Sequence, residues 1–212
     1  MNTLQLNKKL GKKIVCFECF KALNRDSKNG IDALVASIDR VYQGKNSMYI
    51  EFESGKALEL DFNGGYTKYR RNGTVANQCS IDTEMRLENG HIQLKIEGNT
   101  ILMERLIAAS SDIINNTMPV SYKGLVANVM DGSGSVLTAS KLGIPVNYHP
   151  DNIEWCTRPE NSVHGSMIIE MEKRTGHVYR YSANDVILRI IFLKNNINEL
   201  RNYCQNNLVK IK

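Results

Sequence analysis

The sequence predicts an α+β fold in which β-hairpins and short helices precede a helical C-terminal part. Apolar residues recur at helical spacing over residues 31–42 and again over 195–208. Between them, two β-rich runs at 48–52 and 57–62 flank the turn Glu-Ser-Gly-Lys, which predicts a hairpin. Helices and antiparallel hairpins that alternate along one chain are typical of the α+β class.

Composition limits the classes of function that the chain can have. It has 212 residues and a net charge of +5, a basic excess that suits nucleic acid but is also found in ordinary basic enzymes. The length permits one large domain or two to three small ones. No apolar run reaches the roughly 18 residues of a membrane span. Residues 1–13 lack the apolar stretch of a signal peptide, so a cytoplasmic protein is expected, in the host cytoplasm if a phage encodes it.

Five cysteines at irregular spacing do not indicate a disulfide framework. Cys16 and Cys19 form a lone CxxC, and no second CxxC or histidine pair follows that could complete a zinc site. Structural zinc is therefore not expected, and two ordinary thiols on an early helix are the favoured interpretation.

Cations and aromatic residues alternate over 66–75. On a strand, Lys68 and Arg70 share one face while Arg71 lies on the other. This pattern fits contact with a nucleic-acid backbone, and it fits a solvated hairpin equally well.

The run HPDNIEWCTRPENSVH at 149–164 carries the most specific signal. Thr157 is placed to cap a helix, Pro159 falls in its first turn, and Glu160 completes a capping box. A helix is therefore predicted to begin near residue 158.

Together with Ala-Asn-Val-Met-Asp-Gly at 127–132, this run resembles the HNH motif of homing endonucleases of phages and mobile elements. The predicted hairpin at 89–99 and helix at 101–109 resemble the segment that precedes the motif, with Glu104 where that family usually has a histidine. The resemblance implies a degenerate ββα-metal core over 81–165, an N-terminal α+β region over 1–80, and a helical DNA-binding or interaction module over 166–212.

The resemblance also assigns the metal ligands and the general base. It places Asn128 and Asn161 at the metal positions, for Mg²⁺ or another divalent cation, and puts Val129 where the general-base histidine belongs. Valine cannot accept a proton, and loss of a general base typically costs about 10²–10⁴ in rate. His149 can replace that base only if the unusually long segment 133–148 folds it back.

Further residues are expected to support this core or to contact DNA. Asn152 should bridge the loop to its strand, because an amide both donates and accepts. The expected structural residues are Asp131, Asn152, Trp155, Thr157 and Glu160. The expected DNA contacts, mostly to phosphates, are Lys68, Arg70, Arg71, Lys95, Arg158, Lys173 and Arg174.

In the C-terminal part, Ser182 is predicted to cap a helix with Asp185 as the acid of its capping box. The dense apolar residues over 186–193 predict that this helix is largely buried.

These features predict a double-stranded-DNA-binding protein derived from an HNH homing endonuclease, with its nuclease chemistry impaired or lost. Two alternatives stay open: an active metal-dependent DNA-nicking enzyme, and a protein-binding inhibitor on a reused nuclease scaffold. A homodimer and a host protein are both left open as partners, and no membrane is expected.

Overall fold

The computed structural model of the protein describes residues 13–80 and 87–212, so the basic segment 1–12 lies outside the described residues. In the described part, the chain is a mixed α+β protein with a five-stranded antiparallel sheet and seven α-helices, which confirms the predicted class. The helices are α1 (Phe17–Asn24), α2 (Gly30–Ala36), α3 (Met103–Asn115), α4 (Val136–Leu142), α5 (Arg158–Thr175), α6 (Val186–Leu193) and α7 (Ile197–Asn207).

The strands of residues 13–80 and 87–212 form four sheets. In the largest, five strands follow one another as an antiparallel meander: β1 (Ile38–Gln43), β2 (Ser47–Phe52), β3 (Ala57–Asp61), β4 (Tyr66–Tyr69) and β5 (Val75–Cys79). A three-stranded sheet holds β6 (Leu87–Glu88), β7 (His91–Ile96) and β8 (Asn99–Leu102). Two antiparallel pairs complete the set, β9 (Leu125–Val129) with β10 (Ile153–Thr157) and β11 (Tyr179–Arg180) with β12 (Val209–Lys210).

The helical spacing over 31–42 predicted one helix, and only its first half is a helix. Helix α2 ends at Ala36, where the Ser37 hydroxyl donates to the carbonyl of Leu34 at 2.7 Å. The chain then enters β1, which pairs with β2 so that Val41 lies opposite Ile50. Pairing with a neighbouring strand outweighs the local periodicity here, because β-branched residues also suit a pleated surface.

One contiguous hydrophobic cluster joins the main elements, running from Phe20 in α1 to Cys204 in α7. Helix α3 lies at its centre, with Leu106, Ile107 and Ala109 buried. Within residues 13–80 and 87–212, none of the helices combines the length and the apolar character that a membrane span needs.

Helix α5 begins where the sequence predicted it. The Thr157 side chain accepts from the backbone N–H of Glu160, and the Glu160 carboxylate accepts from the N–H of Thr157 at 2.9 Å. Pro159 lies in the first turn, where its missing N–H has no helical partner to lose. This reciprocal capping fixes the start of the helix directly after β10.

Helix α6 is capped by a different residue from the one predicted. Asp185, and not Ser182, caps α6 by accepting from the N–H of Leu188 at 2.8 Å. The Ser182 hydroxyl instead donates to Glu154 Oε2 at 2.6 Å. The capping-box prediction is therefore wrong, since Ser182 is engaged by a carboxylate from β10.

The prediction that α6 is largely buried is also wrong. Leu188 and Ile191 are buried, but four large apolar residues on the other face of α6 are more than half exposed: Val186, Ile187, Ile190 and Leu193. Composition alone did not separate the two faces, because nearly every position in this helix is apolar.

Candidate functional site

Strands β9 and β10 pair antiparallel and lead directly into α5, which gives a ββα unit. Asn128, near the end of β9, and Asn161, in the first turn of α5, line the same pocket of about 110 Å³. His164, Gly165 and Ile168 line it from the same helix face as Asn161. The two positions that the resemblance assigns to a metal therefore lie at one small cavity.

Asn128 is held in place by a buried carboxylate. Its amide nitrogen donates to Glu154 Oε1 at 3.1 Å, from the residue directly opposite on β10. Glu154 also accepts from the N–H of Ala183 and from the hydroxyl of Ser182, each at 2.6 Å. A buried carboxylate needs several such donors, and here they tie the β9–β10 pair to the segment before α6.

Val129, at the position that the resemblance assigns to a general base, is buried against the chain that follows it. A Cβ built on Gly134 would lie 2.6 Å from Val129 Cγ2, so the Gly134 backbone directly abuts the valine side chain. Ser135 and Thr138, at the start of α4, line the same pocket. The start of segment 133–148 therefore lies over Val129.

His149 lies away from this pocket. Its ring packs edge-on against Phe62 with centroids 5.1 Å apart, and its Nδ1 accepts from the N–H of Asp151 at 3.2 Å. His149 thus caps the short 3₁₀ helix Pro150–Asn152. Segment 133–148 brings Ser135 and Thr138 to the pocket and leaves His149 outside it, so the condition under which His149 could replace the base is not met.

Asn152 bridges the loop and the strand. It is fully buried, its side chain donates to the carbonyl of Asn147 at 2.9 Å, and its own carbonyl accepts from the N–H of Met130. Asp131 closes the turn after β9 by accepting from the N–H of Ser133 at 2.9 Å. Both residues shape the polypeptide around the pocket without lining it.

Trp155 packs on the face of β10 that is turned towards α3. Its indole N–H donates to Asp112 Oδ2 at 2.8 Å, and its ring lies 4.9 Å from that of Tyr122 between centroids. The side chain thereby fastens the ββα unit to the central helix.

His164 is a buried histidine beside the pocket. Its Nε2 lies 3.2 Å from the carbonyl oxygens of both Met130 and Tyr181, and burial lowers its pKa to about 4. Two carbonyl acceptors require Nε2 to carry a proton, so the neutral ring bridges β9 to the C-terminal segment as a donor.

A second histidine at the pocket was not singled out from the sequence. His91, at the start of β7, lines the same cavity, and its Nδ1 lies 2.7 Å from Oε1 of the buried Glu104. A carboxylate beside one ring nitrogen fixes the orientation of an imidazole. Strand alternation could have shown that His91 faces outward, but its approach to β9 depends on tertiary packing.

The expected DNA-contacting cations do not form one cluster. Lys68 donates to the carbonyl of Lys95 at 2.9 Å, which brings β4 and β7 together at one surface. Arg71 donates to the carbonyl of Ser54 at 2.9 Å, and Arg70 donates to that of Val75 at 3.1 Å, so both are held at the β4–β5 turn.

The remaining cations lie on α5. Arg158 is exposed at the first position of the helix, whereas Lys173 and Arg174 lie in its last turn, within ion-pair distance of Glu170. At 1.5 Å per residue, Arg158 and Lys173 are roughly 22 Å apart along the helix. The seven cations expected to contact DNA therefore do not by themselves define one flat DNA-binding surface.

The pocket is a poor match for a resident hard cation. Magnesium is usually held by one or two carboxylates, with substrate phosphates completing its ligands. Among the described residues that line the pocket, none carries a carboxylate, and the available oxygens are amides and hydroxyls. More widely, no group of three or more His, Cys, Asp or Glu side chains in residues 13–80 and 87–212 is arranged to hold a metal.

The fold and site define an α+β protein with a ββα unit and a small amide-lined pocket beside the helix of that unit. Comparison of the chain with family models, with curated proteins and with solved structures gave no match.

Proposed function

We propose that the chain is a double-stranded-DNA-binding protein on an HNH-like ββα scaffold whose nuclease chemistry is lost. The observation that supports this best is a polar surface that leads to the pocket. Along β7, buried and solvent-facing residues alternate, so His91, Gln93 and Lys95 share the outer face. We call these three residues, together with Lys68, the β7 strip.

The β7 strip offers two lysines and a polar strand face to a DNA backbone. Its axis from Lys95 to His91 measures roughly 13 Å at about 3.3 Å per residue. The strip carries two lysines, Lys68 and Lys95, each of which can contact one phosphate. Lys68 lies 5.0 Å from the centre of the Tyr66 ring and joins the strip at Lys95.

Three features of the pocket support the proposed loss of nuclease activity. Valine stands where the resemblance puts the base, the Gly134 backbone covers that valine, and none of the described lining residues carries a carboxylate for a metal. The half-buried Asn161 lines the pocket, and its amide can donate to a phosphate oxygen without a metal. The same geometry thus supports binding better than cleavage.

Fluorescence anisotropy with a labelled duplex tests this proposal. We expect binding that weakens steeply between about 50 mM and 200 mM salt, because phosphate contacts release counterions. Lys95→Gln should lower the slope of log K against log salt by about 0.9, the value for one phosphate contact on B-form DNA.

Lys45→Gln is the matched control, since Lys45 is exposed in the β1–β2 turn outside the β7 strip. It should leave the slope unchanged. Failure of the wild-type protein to bind any duplex at about 50 mM salt overturns the proposal, and so does an equal effect of the two substitutions.

A second candidate function is protein binding through the exposed apolar face of α6. Val186, Ile187, Ile190 and Leu193 lie on one side of this helix and are each more than half exposed. Contiguous exposed apolar surface is typical of interaction sites. Sedimentation of the wild type and of Ile190→Glu tests the simplest partner, a second copy, and a monomer at every concentration contradicts self-association.

A further inference from the structure

Cys16 and Cys19 form a thiol pair at the start of α1. Cys16 is the N-cap residue of the helix, and Cys19 lies one turn later. Their sulfur atoms are 2.8 Å apart, and the backbone N–H of Cys19 also donates to Cys16 Sγ at 3.3 Å. Both residues are exposed, so a small reagent can reach either sulfur.

The polypeptide around the pair is fixed although the sulfurs are open to solvent. Phe20, one residue after Cys19, is fully buried and packs against the ring of Tyr122. On the other side, Val15 donates its backbone N–H to the carbonyl of Met118 at 3.0 Å. The two thiols are thus held beside each other by packing on both flanks.

The two thiols are electrostatically unequal. The contact with the Cys19 side chain, together with the Cys19 backbone N–H, lowers the pKa of Cys16 below its ordinary value. The same side-chain contact, together with the charge on Cys16, raises the pKa of Cys19. A more acidic thiol beside a less acidic one gives a nucleophile and a resolving thiol, which is the arrangement that disulfide exchange requires.

The other three cysteines are not part of an exposed thiol pair. Cys156 and Cys204 are buried, and burial raises their pKa to about 12 and about 11. Cys79 is half-buried and contacts the side chain of Asn77 rather than another thiol. Of the five cysteines, Cys16 and Cys19 alone form a contact between two sulfurs.

We propose that Cys16 and Cys19 form a reversible dithiol–disulfide site that exchanges with low-molecular-weight disulfides such as oxidised glutathione. The Cys16 thiolate attacks one sulfur of the small disulfide, which breaks that S–S bond and releases one thiolate. Cys19 then gives up its proton and attacks the Cys16 sulfur, which closes the protein disulfide and releases the second small thiol. The protein dithiol loses two electrons and two protons, and the small disulfide becomes two thiols.

Intact-mass spectrometry of the full chain tests this proposal. Reduced protein is equilibrated in glutathione buffers of increasing oxidised fraction and then quenched with an alkylating reagent. We expect one transition in which the protein loses two hydrogens and two alkylation sites. Cys19→Ser should instead accumulate one bound glutathione, because Cys16 still attacks and nothing resolves the mixed disulfide.

Cys79→Ser is the matched control, and it should keep the transition at the same glutathione ratio. A wild-type protein that stays fully reduced in the most oxidising buffer overturns the proposal, and so does a transition that Cys79→Ser abolishes. Tight stoichiometric zinc binding by the reduced protein that Cys16→Ser removes would also overturn it, because the pair would then be part of a metal site. None of these readouts depends on DNA binding.

Discussion

The buried ring of His164 makes the stability of the protein depend on pH. Its side chain is 2% exposed, and its Nε2 donates towards the carbonyls of Met130 and Tyr181. Burial lowers its pKa from 6.5 to about 4, because a charged ring would lose its hydration. The folded protein therefore keeps this histidine neutral at pH values at which the unfolded chain protonates it.

The folded and unfolded pKa values of His164 give the direction and size of this pH dependence of stability. Between pH 6.5 and about 4, the unfolded state binds one proton more than the folded state, so the free energy of unfolding falls as the pH falls. His164 contributes its full stability above pH 6.5. Between pH 7 and pH 5 the loss amounts to about 2 kcal/mol.

Urea unfolding of the wild type and of His164→Gln at these two pH values measures the effect. Glutamine keeps an N–H donor for the two carbonyls but does not titrate. The wild type should lose about 2 kcal/mol more than the variant on going from pH 7 to pH 5. Ser162→Ala, on the exposed face of the same helix, is the control and should follow the wild type. Equal pH dependence of the wild type and His164→Gln would refute the reasoning.

Three further predictions follow from burial and hydrogen bonding. Leu188→Ala should lower the free energy of unfolding in urea by about 2–5 kcal/mol. Leu193→Ala, at a site that is 79% exposed, should lower it by about 0.5 kcal/mol or less. Equal losses in the two variants would contradict the orientation of α6. Glu154→Ala should cost at least about 3 kcal/mol because it leaves three donors without an acceptor, and an unchanged urea midpoint would count against that network. Supercoiled plasmid should stay intact with magnesium or manganese, whereas nicking that Asn161→Ala abolishes would show that the pocket is an active nuclease centre.

Features governed by neighbouring residues could be predicted from the sequence. The start of α5 depends on Thr157, Pro159 and Glu160, which lie within one helical turn. The bridging contacts of Asn152 also connect it to residues close along the chain or on the adjacent strand. Such features need few long-range contacts, so a local pattern is sufficient to predict them.

Features governed by tertiary packing could not be predicted in this way. Helix α6 is apolar almost throughout, so its periodicity does not reveal that Leu188 faces the core and Leu193 faces solvent. Similarly, His91 reaches the pocket because the turn before β7 lies beside the start of α4, where the carbonyl of Gly90 accepts a hydrogen bond from the N–H of Val136. Residues 46 positions apart meet there, and no local signal indicates this.

The segment over Val129 predicts that restoring the expected base will not restore chemistry. Val129 is buried, and the Gly134 backbone leaves no space for a longer side chain. Val129→His should therefore destabilise the protein by about 1–3 kcal/mol through overpacking, and it should not nick plasmid with manganese. Val126→His, which puts the same ring on the opposite face of β9, controls for an added histidine. A Val129→His protein that nicks DNA and unfolds at the wild-type urea midpoint would mean that a single substitution had inactivated an otherwise intact nuclease.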